Sequence, residues 1–269
     1  MRFERKAGSM RRSLLILALA LALGGTPAMA ADIAVLSAGA MRSVLQELVT
    51  PFEGGTGNHV TFTFGTAGDV EKRLEAGEIF DVAVATKPRM QKLETAGTIV
   101  SGSVVVVGRS PLALAVHSGA PKPDISSVDA FKKAMLAAKS IAYTDPASGG
   151  TSGIHMAKVV RDLGIADDIK AKTKLISGKP GAPPAVGEAV AHGEAEIGLQ
   201  PISELANVPG IDIVGPIPEP LQTPDLTYAA GLPSKGGNRE ASTALVKLLV
   251  SPAGETVVKS KGLIPGDGR

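Results

Sequence analysis

Three short loops carry the residue types most able to do chemistry. They are Ser37-Ala38-Gly39-Ala40-Met41-Arg42, Gly65-Thr66-Ala67-Gly68-Asp69 and Asp145-Pro146-Ala147-Ser148-Gly149-Gly150-Thr151-Ser152-Gly153. Each lies between a strand-like run and a helix-like run. Small side chains let backbone N–H groups come close to a ligand, and a helix N-terminus adds about half a positive charge. Such a loop holds an anion without Lys or Arg. One alone reads more simply as an N-cap and a tight turn; three at strand ends point to a binding cleft. Arg42 sits in the first turn of its helix, where a cation opposes the dipole, so a structural ion pair or a fork onto a carboxylate ligand are its two readings.

Other constellations give less. His59, His117, His155 and His192 are dispersed without ligand spacing, and no Walker A, GxSxG or GxGxxG pattern occurs. No metal or cofactor is expected. Asp69, Glu71, Glu75 and Glu78 with Lys72 and Arg73 read as a solvated helix face. No residue stands out as a general base.

The elements that position the loops alternate. Strands at 33–36, 60–64 and 81–85 are separated by helices at 40–52, 69–76 and 88–96. Two strands in succession, 103–107 and 112–116, precede a second alternating series: helix 128–137, strand 140–143, helix 152–163, strand 174–176, helix 185–192, then strands 196–199 and 211–214. A Pro-rich stretch at 216–224 leads to an apolar run at 226–232, helix 239–249 and a helical end after Pro252. This order predicts βαβ units and largely parallel sheets, with ligands at the carboxyl ends of the strands.

Residues 1–30 read as a secretory signal peptide. Arg2, Arg5, Lys6, Arg11 and Arg12 precede the apolar run 14–23, and Ala28-Met29-Ala30 forms a cleavage site, with cleavage expected after Ala30. The run is too short for a membrane span, which takes about 20 residues. Of the 28 Lys+Arg and 26 Asp+Glu, five and one fall in this segment, so the remainder is near −2. Nucleic acid is therefore not an expected partner. The absence of Cys excludes disulfides and thiolate metal sites. With no Trp and only Tyr143 and Tyr228 as tyrosines, a sugar ligand is disfavoured.

At these loops the chain resembles the molybdate-binding proteins of bacterial ABC importers, which are type 2 periplasmic binding proteins. The resemblance runs through Ser37-Ala38-Gly39-Ala40-Met41, Phe64-Gly65-Thr66-Ala67-Gly68, Leu74-Glu75-Ala76-Gly77, Asp81-Val82-Ala83-Val84, Pro146-Ala147-Ser148-Gly149-Gly150, Leu163-Gly164-Ile165 and Gly193-Glu194-Ala195-Glu196-Ile197-Gly198. It implies an α/β fold of two doubly wound lobes joined by two hinge crossovers. Lobe 1 is residues 31–114 plus 229–269, lobe 2 is 115–228, and the hinge candidates are 112–116 and 226–232. It also implies a periplasmic monomer that closes on a small anionic ligand and delivers it to a permease in the inner membrane. The implied ligand-binding residues are Ser37, Gly39, Ala40, Arg42, Thr66, Ala67, Gly68, Ser148, Thr151, Ser152, Gly153 and Gln200. The chain departs from the family's oxyanion set: hydroxyl residues are replaced at Ala40 and near Ala67 or Gly68, a tyrosine is replaced by Pro201, and Pro183-Pro184 offer no N–H where the family uses one.

A second resemblance lies within that superfamily. Ile197-Gly198-Leu199-Gln200-Pro201-Ile202-Ser203-Glu204-Leu205 and Val208-Pro209-Gly210-Ile211 look like a branch that includes aconitate isomerase, which moves a double bond in a tricarboxylate. On that alternative the protein is a polycarboxylate isomerase, with Arg42 and Lys179 supplying charge.

Overall fold

A computed structural model describes residues 30–177 and 185–268. The signal-peptide segment, Lys179 and Pro183-Pro184 lie outside the described residues. The chain from Ala31 onward is one compact unit built on two sheets.

The first sheet begins with β1 (Asp32–Ala38), β2 (His59–Gly65) and β3 (Val82–Thr86). β1 pairs in parallel with both neighbours. Every residue of β3 is buried, as the apolar run Val82–Ala85 requires of a central strand. β4 (Val105–Arg109), β10 (Thr227–Gly231) and β11 (Ile264–Pro265) complete the sheet, all antiparallel to their partners. The second sheet holds β5 (Leu112–His117), β6 (Ile141–Thr144), β7 (Thr173–Ile176), β8 (Ile197–Pro201) and β9 (Ile211–Pro216) in the order β7-β6-β8-β5-β9. Here β6 is parallel to β7 and β8, whereas β5 is antiparallel to β8 and β9. Both sheets are thus mixed rather than largely parallel. Apart from the C-terminal β11, the antiparallel pairs involve the strands next to the crossovers, β4, β5, β9 and β10.

The helices follow the expected pattern with shifted ends. α1 (Arg42–Thr56) buries Val44, Leu45, Leu48 and Phe52 on one face. It runs through Pro51, past the end at Phe52 that the sequence indicated, and stops at Gly57, whose φ of 72° is left-handed. α2 (Ala67–Glu75) starts two residues early because Thr66 and Asp69 form a reciprocal capping box. α3 (Lys87–Thr95) packs beside it. In the second sheet's half, α4 (Val128–Ala137), α5 (Thr151–Asp162), α6 (Ala166–Lys170), α7 (Ala185–Ala191) and the single turn α8 (Ile202–Leu205) surround the strands. α9 (Arg239–Leu249) and α10 (Pro252–Ser260) return to pack against α1.

The chain passes from β4 to β5 through Ser110-Pro111, and returns from β9 to β10 through two 3-10 turns, Glu219–Leu221 and Pro224–Leu226. Gln222, between those turns, ties the two crossovers. Its Nε2 donates to Leu112 O (2.9 Å) and Ile217 O (3.0 Å), and its Oε1 accepts from Leu112 N (2.9 Å).

Candidate functional site

The three small-residue loops converge where the two sheets face one another. Ser37 ends β1 fully buried, and its hydroxyl donates to Ala38 O at 3.0 Å. The 3-10 turn Gly39–Met41 follows, with Ala40 buried, and delivers Arg42 to the start of α1. Thr66 Oγ1 accepts from Asp69 N (3.0 Å) and lies 3.0 Å from Ser148 O in the third loop. A Cβ on Gly68 would stand 2.8 Å from Gly149 O, so glycine is what permits this backbone contact. Gly149 itself adopts φ 78°. Loops two and three therefore meet edge to edge.

Not every residue singled out from the sequence faces the ligand region. A Cβ on Gly153 would lie 2.1 Å from Thr144 O, so this glycine lets α5 press onto β6. Ser152 is buried in the same helix and Ala67 in α2. Thr151 Oγ1 and Gln200 Oε1, by contrast, are buried with no hydrogen-bond partner.

Beside this seam a pocket of about 690 Å³ opens between Gly39, Arg42, Ser43, Gln46 and Glu47 on one wall and Glu188, His192, Ser203, Glu204 and Asn207 on the other, with Lys261 at its edge. The walls are joined by Ser43 Oγ donating to Ser203 O (3.3 Å), and Ser203 is held in turn by a buried hydroxyl pair with Ser110 of the β4–β5 connection (2.9 Å).

Glu204 is the chemically distinctive group here. It is half-buried on α8 and accepts a hydrogen bond from Gln200 Nε2. Withdrawal from water raises its carboxyl to about 7, against the lowering influence of Arg42 and Gln200. Arg42 stacks over the Phe64 ring, its guanidinium carbon 4.0 Å from the centroid. Burial lowers the Arg42 pKa and the charge of Glu204 opposes that change. Tyr228, on β10 and 3 % exposed, is pushed well above the usual phenol value, first by burial and then by the charge of Glu204. A cation, a phenol and a carboxyl that titrates near neutrality thus come from three separate elements. Among the described residues no cluster of three or more His, Asp or Glu able to hold a metal occurs.

Glu204 and Tyr228 were not chosen from the sequence as site residues. The available signal was the spacing of Gln200 and Glu204 around Pro201, which ends a buried strand and turns the chain so that both side chains meet.

One sequence-based expectation is overturned. Glu71 is not on a solvated face: it is 7 % exposed and bonded to Arg89 and Lys92 of α3. Charge pattern alone does not show that α3 packs over that face of α2.

Residues 33–264 match the family model described as bacterial extracellular solute-binding protein, and the chain belongs to that family. Among individual proteins, it is 36% identical over 256 residues to an aconitate isomerase from Pseudomonas sp, covering 91% of this chain and 94% of that one. It is 29% identical over 265 residues to the molybdate-binding protein ModA of Azotobacter vinelandii, covering 94% and 98%. The solved periplasmic molybdate-binding protein of Azotobacter vinelandii superposes with a TM-score of 0.72 at 18% identity, covering 87% of this chain and all of that one, which establishes the shared fold.

Proposed function

We propose that this chain is an isomerase of small polycarboxylates of the aconitate kind, built on the frame of a solute-binding protein, with Glu204 moving the proton. The observation that carries the reading is the Glu204 carboxyl, half-buried in the pocket between Arg42 and Gln200 and poised near pH 7. A general base works best when its pKa lies near the operating pH. A pocket made only to hold an oxyanion gains nothing from a carboxyl that ionises in the same range and repels the ligand. The 36% identical relative named as an aconitate isomerase supports the same reading.

In the proposed step a proton leaves the substrate's methylene carbon for an oxygen of Glu204. The C–H electron pair enters the neighbouring double bond as an allylic anion, spread onto the attached carboxylate. Glu204 then returns the proton to the carbon at the other end of the allyl unit, and the double bond has moved with no change in composition. Arg42 and the N-terminal amides of α2 and α5 hold the substrate's carboxylates. Gly39, Thr66, Gly68, Ser148 and Thr151 line the anion positions; Ser37, Ala40, Ala67, Ser152 and Gly153 shape the frame, and Gln200 holds Glu204.

Proton NMR of purified protein incubated with cis-aconitate tests this. The trans isomer should appear with wild type and not with Glu204→Gln. No interconversion by micromolar wild-type enzyme rejects the isomerase.

The second reading is a binding protein that delivers a molybdate-like oxyanion or a carboxylate to an ABC permease. Three helix N-terminal loops without a basic patch, and the 29% identical molybdate-binding relative, favour it. Calorimetric binding of molybdate in preference to aconitate would select it. On either reading we propose a periplasmic monomer cleaved after Ala30, with lobes at 31–114 plus 229–269 and 115–228.

A further inference from the structure

The side-chain amide of Gln200 is placed to serve Glu204 in both of its protonation states. Gln200 is 4 % exposed and is the penultimate residue of strand β8, beside Pro201. Its Nε2 donates to Oε2 of Glu204, while its Oε1, equally buried, has no partner. A carboxylate only accepts hydrogen bonds, whereas a carboxylic acid must also donate one. A base that takes a proton and gives it back passes through both states in every cycle.

The neighbours of Glu204 divide sharply in what they offer. Arg42 faces it from α1 and only donates. Tyr228 faces it from β10 as a phenol held protonated. Glu47, Glu188, His192 and Lys261 are the other titratable groups around the pocket. Among the described residues, Gln200 is the side chain hydrogen-bonded to Glu204, and it carries a donor and a spare acceptor on one rotatable group. A half turn about its last torsion exchanges the two.

We propose that Gln200 is a positioning residue whose amide turns with the protonation of Glu204, presenting N–H to the carboxylate and C=O to the carboxylic acid. The unpartnered oxygen is then the half of the device that idles while Glu204 is ionised. The half turn also moves an N–H to where that oxygen now lies. The inference rests on Glu204 being the proton-moving group.

The test follows the side-chain amide of Gln200 by 15N NMR in ligand-free wild type, its resonance assigned by its loss in Gln200→Met. The 13C carboxyl signal of Glu204 is followed in parallel. The two should titrate with one midpoint. In Gln200→Met, which keeps the volume and removes the amide, the Glu204 midpoint should rise by about half a unit, less than loss of the Arg42 charge would raise it. The rising limb of the pH–rate profile should move with it, kcat should fall about tenfold and KM should stay within about twofold. An amide signal that stays flat while Glu204 titrates overturns the proposal, and does so even where the Met variant fails to fold. So does a folded Met variant whose Glu204 midpoint is unmoved. Absence of turnover in wild type rejects only the isomerase reading, because the titrations need no substrate.

Discussion

Two glutamates in this protein are drawn away from water and answer in opposite directions. Glu71, on α2, is pushed up by burial, but hydrogen bonds from Lys92 and Arg89 and their charges outweigh that and leave it below its ordinary value. Glu204, on α8, is pushed up to about 7, because its cation, Arg42, offsets only part of the lost hydration. Burial is similar in kind at both sites; the supply of donors differs. Two full cations bonded to one carboxylate make a clamp between α2 and α3. One cation shared with an aromatic ring leaves a carboxyl that can change state near neutrality.

The sharpest way to break this comparison is to remove each charge and read turnover. Glu204→Gln should lower isomerase activity by about 10²–10⁴-fold, the usual worth of a positioned base. Glu71→Gln should leave turnover within about threefold, because its partners lie outside the pocket. A loss of activity at Glu71 as large as at Glu204 would undo the assignment of roles.

Stability against pH should separate them next. The folded Glu204 pKa lies above its ordinary value of 4.5, so the unfolded chain releases this proton first. Its burden is absent below that value, grows as pH rises toward 7 and is constant above. It amounts to about 2–3 kcal/mol once water in the pocket is allowed for. Urea denaturation of Glu204→Gln from about pH 5 to 8 should remove this part of the wild-type decline.

Glu71 carries the opposite sign. Its folded pKa is lowered, so its stabilisation is present above the ordinary carboxylate value and is lost as pH falls through the folded one. Glu71→Gln should cost about 1–2 kcal/mol at neutral pH, discounted because the Lys92 side chain is 62% exposed, and almost nothing in acid. The smallest effect is expected from Arg42→Gln. Removing the cation should raise the Glu204 midpoint by a further half to one unit or about that. Carboxyl 13C NMR reads this directly.

The sequence made the framework plain where local signals agreed. The alternation of β-branched runs with amphipathic stretches located both sets of strands, and Gly57 and the Thr66–Asp69 box show how far simple capping rules set helix ends. It could not show that the strands at the crossovers run antiparallel, since periodicity carries no direction. The site was legible as three loops, but the carboxyl proposed to move the proton was not. Glu204 looks in sequence like any acid on a short polar turn. Its character arises from Gln200, which the turn at Pro201 brings to it, and from Arg42 and Tyr228, which lie on distant elements and meet it only after the sheets are assembled. Glu71 was misread for the same reason, since its burial is supplied by a different helix.

Gln222 gives the two crossovers a mechanical property. Its amide is pinned to Leu112, at the start of β5, and to Ile217, in its own crossover, so the two connections are tied together like the leaves of a flexure. Such a flexure bends about one axis and resists shear and twist. A pair of leaves tied in this way keeps the strands on either side of the connections in one register, so a single buried amide sets how the two sheets are joined.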